Sequence, residues 1–223
     1  MCGRFTITVD PGELQSAFPG IEVPVSGIPP RYNISPSQPV AVIPNDGKNR
    51  LDFYSWGLIP SWSKDISIGS KLINARCETL AEKPSFRNAY RRRRCLIPAS
   101  GFYEWRTVPS SKVKEPIYIY MKNKRPFAFA GLWEIWHSID GSEIRSCTII
   151  TTMANNFIQP IHNRMPVIIS PNNYTRWLDP SEVNGTSLTE LFNPYPSEEF
   201  AYHAVSRLVN SPSYDTPECI STI

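Results

Sequence analysis

Short runs of β-branched and aromatic residues recur along the chain, at 3–9, 40–44, 51–59, 117–121, 127–136, 146–152, 167–170 and 200–205. Pro, Gly, Asn or Ser bounds each of them, which predicts strands. Helical patterning is confined to short windows at 12–18, 79–89, 155–159, 172–178 and 188–192. Thr79 is a start signal for the second and Ser187 a cap for the last. Long helices do not alternate with the strands, which argues against a parallel βαβ sheet. The pattern predicts an α+β fold in which antiparallel strands form a barrel-like core with short peripheral helices. Two proline-rich stretches, 28–39 and 109–116, read as irregular, and long irregular segments often carry function. No linker divides the chain, so one domain spanning 1–223 is expected.

Composition narrows the class without naming a chemistry. At 223 residues and 41% hydrophobic, the chain can bury a core without metal or disulfide support. An aromatic share of 12% with a net charge of only +3 excludes disorder as a whole-chain description. There is no apolar run long enough to span a membrane, and MCGRFTITVD lacks the apolar heart of a secretory signal. A cytoplasmic monomer is the expectation. Charge is unevenly placed: residues 1–179 carry 22 Lys+Arg against 14 Asp+Glu, and residues 180–223 carry 1 against 6. A basic body with an acidic C-terminal part hints at a polyanionic partner.

The five cysteines (2, 77, 95, 147 and 219) are odd in number and form no CxxC pair, and the three histidines are scattered. Neither a disulfide framework nor a metal site is expected, and no cofactor is implied. Cys77, Cys95 and Cys147 read as small buried hydrophobes. Cys2 differs, because loss of Met1 leaves it with a free α-amine beside its thiol. Their reference pKa values are about 8 and about 8.5, so both nucleophiles are accessible near neutrality. Such a 1,2-aminothiol condenses with an aldehyde and closes a thiazolidine. Polar residues set in apolar segments supply candidate helpers: Asn74 in LINARCET, Glu104 between Tyr103 and Trp105, and His162 before Arg164. A buried Glu104 has a raised pKa and can move protons near neutral pH, whereas a strand glutamate facing solvent does neither.

Eight segments in order, MCGRF, RYNISPSQ, WGLIPSW, INARCET, CLIPASGFYEW, FAFAGLWE, TIITTMAN and IHNRMPVI, resemble the SRAP family (SOS-response-associated peptidase), the abasic-site processing proteins. The resemblance implies a covalent shield for abasic sites in single-stranded DNA, with Cys2, Asn74, Glu104 and His162 as the catalytic positions. It also implies self-removal of Met1 and a possible weak lyase side reaction, and it reaches no part of 180–223. For the DNA strand, Arg4, Arg76 and Arg164 are the phosphate candidates because they lie within these motifs, and Thr151 joins them by resemblance. Trp62 suits base stacking or, equally, packing on the core. The arginine run 91–94 reads first as a solvated helix end. Two other classes stay open. A glutamine amidotransferase with a terminal cysteine needs an oxyanion pair, for which only Asn184-Gly185 offers an Asn-Gly. A non-covalent single-stranded DNA binder needs no Cys2 at all.

Overall fold

The computed structural model describes residues 2–24, 27–109, 113–181 and 186–223, with 186 and 187 described in their backbone alone. In chain order the strands are β1 (Phe5–Ile7), β2 (Arg31–Ile34), β3 (Pro39–Pro44), β4 (Asp52–Trp56), β5 (Asn74–Arg76), β6 (Arg94–Ala99), β7 (Gly101–Arg106), β8 (Glu115–Met121), β9 (Phe127–His137), β10 (Glu143–Met153), β11 (Arg164–Pro166), β12 (Ile168–Ile169) and β13 (Phe200–Ala204). The α-helices are short: α1 (Pro11–Ala17), α2 (Arg87–Arg92) and α3 (Tyr174–Leu178).

Five strands close on themselves. β4 pairs β3, β3 pairs β6, β6 pairs β9, β9 pairs β10, and β10 returns to β4. Closure removes the exposed edges that an open sheet would leave. The β9–β10 hairpin turns on Asp140-Gly141, where Gly141 takes a left-handed φ of +86° and Asp140 Oδ1 accepts the Ser142 N–H at 2.9 Å. A second sheet, in the order β13-β8-β7-β1-β2, lies against the barrel. Phe5 of β1 joins the two, its ring edge-on to Trp56 at 5.1 Å and to Phe129 at 5.6 Å. That anchor fixes the start of the chain three residues after Cys2.

The α+β barrel is as the pattern predicts, with several differences of detail. The β10–β4 and β10–β5 pairings are parallel, so the strands are not all antiparallel. Residues 28–39 are not wholly irregular, because β2 occupies Arg31–Ile34 between the prolines, where free N–H groups pair with β1. Pro39 opens β3 and Pro116 is second in β8, positions near strand starts where a missing donor is tolerated. The expected helix at 79–89 is broken by Pro84: a 3₁₀ turn covers Cys77–Thr79 and α2 begins only at Arg87. Residues 155–159 form hydrogen-bonded turns rather than a helix, with Asn155 Oδ1 accepting from the N–H groups of Phe157 and Ile158. The arginine run is not all solvated. Arg94 is fully buried and donates to the carbonyls of Trp177, Tyr90, Arg91 and Asp179.

The acidic C-terminal part is woven into the second sheet. β13 extends it beyond β8, and Asp215 accepts from Arg31 and from the N–H groups of Tyr32 and Asn33. Asn33, fully buried, donates to the carbonyls of Ser211 at 3.0 Å and Tyr214 at 2.5 Å. One carboxylate and one amide thus hold the last turns of the chain over β2.

Candidate active site

Cys2 lies just ahead of β1, fully buried, with its Sγ 3.9 Å from the Arg4 carbonyl. Asn74 opens β5, whose parallel register with β10 sets Asn74 opposite Ile149. From there its Nδ2 donates to the Cys2 carbonyl at 2.8 Å. Its Oδ1 is buried and has no hydrogen-bond partner among the described residues. An acceptor so placed is costly to leave empty and is matched by an incoming donor.

Glu104 arrives from β7. Side chains alternate along a strand, and Phe102 and Glu104 share the core face while Tyr103 and Trp105 point to the other. The backbone bond from the Tyr103 N–H to the Arg4 carbonyl, 2.9 Å, brings this face against the chain start. Glu104 is only 3% exposed. Burial pushes its carboxyl above the usual range, opposed in part by the neighbouring His162. Burial, and then the negative charge of Glu104, push the Cys2 thiol well up as well. At neutral pH Cys2 is therefore a thiol, and its proton must be passed on as it reacts.

His162 stands in the turn before β11. The Arg164 N–H donates to its Nδ1 at 2.9 Å. The Arg164 carbonyl lies 3.2 Å from the same nitrogen, and the shorter contact, in which Nδ1 accepts, favours the tautomer with its proton on Nε2. Cys2, Asn74, Glu104 and His162 come from four stretches far apart in sequence: Asn74 bonds the Cys2 carbonyl, Glu104 acts on the Cys2 thiol, and His162 acts on Glu104.

The phosphate candidates divide. Arg76 ends β5 opposite Thr151 and is exposed. Thr151 is fully buried, its hydroxyl 3.4 Å from the Ala75 carbonyl and 3.2 Å from Nη2 of Arg164. Arg164 is also buried. A bidentate pair with Glu78, at 2.5 and 3.0 Å, and a bond to the Thr151 carbonyl at 2.6 Å hold its guanidinium. The same pair holds the Glu78 carboxyl below its ordinary value. Arg4 directs Nη1 to Asn33 Oδ1 and to the Val209 carbonyl, both at 2.6 Å, so its guanidinium faces the C-terminal turns. Trp62 is 57% exposed and does not pack into the core. Its loop is tied down by the Trp136 indole, which donates to the Ser63 carbonyl at 2.7 Å. Two glycines let that loop close: a Cβ on Gly57 (φ +135°) would meet the Gly69 carbonyl oxygen at 2.6 Å. Sequence reasoning missed Glu78, although it lies inside INARCET, because nothing in the motif reveals which cation it faces. Met1 and Asn184-Gly185 lie outside the described residues. Among the described residues no group of three or more His, Cys, Asp or Glu is placed to hold a metal ion, and no helix is long and apolar enough to cross a membrane.

Comparison with known proteins agrees with this picture. A family model described as SOS response associated peptidase (SRAP) matches residues 1–212. The abasic site processing protein YoqW of Bacillus subtilis (strain 168) is 45% identical over 225 residues, covering 100% of both chains. The abasic site processing protein HMCES of Xenopus tropicalis is 31% identical over 267 residues, covering 100% of this chain and 78% of its own. A crystal structure of a protein from Bacteroides thetaiotaomicron superposes with a TM-score of 0.88 at 26% identity, covering all of both chains.

Proposed function

This chain belongs to the SOS response associated peptidase family, and on that premise we propose that it processes abasic sites in single-stranded DNA by covalent capture at Cys2, once Met1 has been removed. The observation that carries the reading is an amide that holds the Cys2 carbonyl, together with a buried Glu104 whose charge acts on the Cys2 thiol and on which His162 acts in turn. The relatives named as abasic site processing proteins support the substrate class.

The chemistry follows from these groups. An abasic sugar is mostly a closed hemiacetal, and opening it needs one proton taken from O1 and one given to O4. Glu104 and the Nε2–H of His162 are suited to that exchange. The Cys2 α-amine then attacks the C1 aldehyde, and the carbinolamine loses water to give an imine. Asn74 Oδ1 is the natural acceptor for the N–H of this amine. The Cys2 thiol adds to the imine carbon: the S–C bond forms, the nitrogen gains a proton, and the thiol proton leaves through Glu104. The sum is aldehyde plus aminothiol giving thiazolidine plus one water, with the DNA strand uncut. Slow β-elimination from the imine is the expected lyase side reaction. We assign Met1 removal to the same site, with the Cys2 thiol as nucleophile.

Purified protein mixed with single-stranded DNA bearing one abasic site should give a heat-stable band on a denaturing gel. Its mass should equal protein without Met1, plus DNA, less one water. The absence of that band, or its equal formation by Cys2→Ala, overturns the proposal. Met1 retained in Glu104→Ala but lost from the native protein assigns the processing step to this site.

A further inference from the structure

Many of the arginines of this chain are ion-paired. Arg31, Arg93, Arg106, Arg145, Arg164 and Arg176 each pair with a carboxylate. Between residues 76 and 92 the opposite holds. Arg76, Lys83, Arg87, Arg91 and Arg92 are all exposed, and among the described residues none of their side chains has an ion-pair or hydrogen-bond partner. The single carboxylate between residues 79 and 93 is Glu82. Five uncompensated cations on a chain with net charge +3 are a concentrated field.

Their spacing is regular. The Arg87 N–H donates to the Lys83 carbonyl at 2.9 Å, so a helical turn runs ahead of α2. Arg87 and Arg91 stand one above the other, about 6 Å apart along the axis of α2, and Lys83 lies one hydrogen-bonded turn ahead of it. Helix electrostatics account for Arg91 and Arg92 in the last turn of α2 but oppose Lys83 and Arg87, which stand at its positive end. In sequence the stripe follows directly on the active-site strand. Asn74, which holds Cys2, and Arg76 are two residues apart on β5, and the chain reaches Lys83 seven residues later.

We infer that Lys83, Arg87 and Arg91 form a phosphate track, which carries the strand flanking the abasic nucleotide away from Cys2 by way of Arg76. The track rests on the function proposed above for its substrate, and it adds a surface outside the reacting groups. It binds backbone phosphates and reads no base, so it serves any sequence around the lesion.

The test compares native protein with the triple variant Lys83→Ala/Arg87→Ala/Arg91→Ala. Binding to an unreactive tetrahydrofuran-bearing oligonucleotide is followed over a salt series, and crosslinking to a true abasic oligonucleotide is read at saturating DNA. Three lost contacts should lower the slope of log K against log salt by about 2, at roughly 0.7 per phosphate of a single strand. Affinity at low salt should drop at least tenfold, while crosslink yield at saturation stays native. Trimming the DNA on one side of the lesion should abolish the difference between the proteins, and trimming the other side should not. An unchanged slope and affinity overturn the track. So does a difference that persists when either side is trimmed. If native protein makes no crosslink, the proposed function has failed instead, and the salt series with undamaged DNA still decides whether the track binds phosphates.

Discussion

Cys2 and Cys147 are both fully buried, and burial pushes both thiols far above their ordinary range. By accessibility alone the two are indistinguishable. Cys147 lies on β10 opposite Trp133, in a setting where desolvation is the one cause of its shift. Cys2 has the Glu104 charge beside it and the Asn74 amide on its own carbonyl. Burial thus makes a thiol inert by default, and reactivity comes from what else is buried with it. Cys147 is held in a barrel strand among apolar neighbours, whereas Cys2 has a carboxylate and an amide beside it.

The comparison can be broken most sharply at the two thiols. Cys2→Ala should lose the heat-stable crosslink entirely and, with the processing thiol gone, should retain Met1 in its intact mass. Cys147→Ala should crosslink at the native rate and lose on the order of 1 kcal/mol of stability in denaturant. A crosslinking defect in Cys147→Ala would erase the distinction between the two cysteines.

Next in size is Glu104→Gln, expected to slow crosslinking about a hundredfold while leaving affinity for tetrahydrofuran DNA nearly native. Its pH signature has a definite sign. Between the unfolded carboxyl value of ~4.3 and the raised folded value, the native state holds more protons than the unfolded one. The contribution of Glu104 to stability therefore falls as pH rises through that window. Thermal melts should show this fall in native protein and its loss in Glu104→Gln. Parallel melting curves across the window would mean that Glu104 is not desolvated.

Asn74→Ala removes one hydrogen bond to the Cys2 carbonyl, and a five- to tenfold slower crosslink is expected, at about 1 kcal/mol for the bond. A native rate in single-turnover assays would reduce Asn74 to a packing residue. The smallest effect belongs to Glu78→Gln. Freeing the Arg164 guanidinium from its carboxylate should tighten single-stranded DNA binding by a factor of about two to five. Weaker binding by that variant would mean that Glu78 supports Arg164 rather than competing for it.

Much of the site was legible because the reacting groups lie in short motifs with polar residues set among apolar ones. Cys2, Asn74, Glu104 and His162 are brought together in the fold. Orientation was not legible. Arg4 and Arg164 sit in the motifs as surely as Arg76, yet their partners, Asn33 and Glu78, are decided by strand register and by a C-terminal turn far along the chain. The barrel was foreseen from its strands, but β6 lacks alternation because all six of its residues are buried, so a period of two could not reveal it. The parallel pairing of β10 with β4 and β5 joins segments that no local pattern connects.

The assembly of the site from four distant segments has a consequence for synthesis. His162 is synthesised 160 residues after Cys2. At ~5–20 residues per second, about ten to thirty seconds separate them. On the processing route proposed above, Met1 still caps the Cys2 nitrogen through that interval, so no aminothiol exists while the chain is unfolded. Completing β10 and β11 is then what unmasks the nucleophile, and folding itself times the release of the amine.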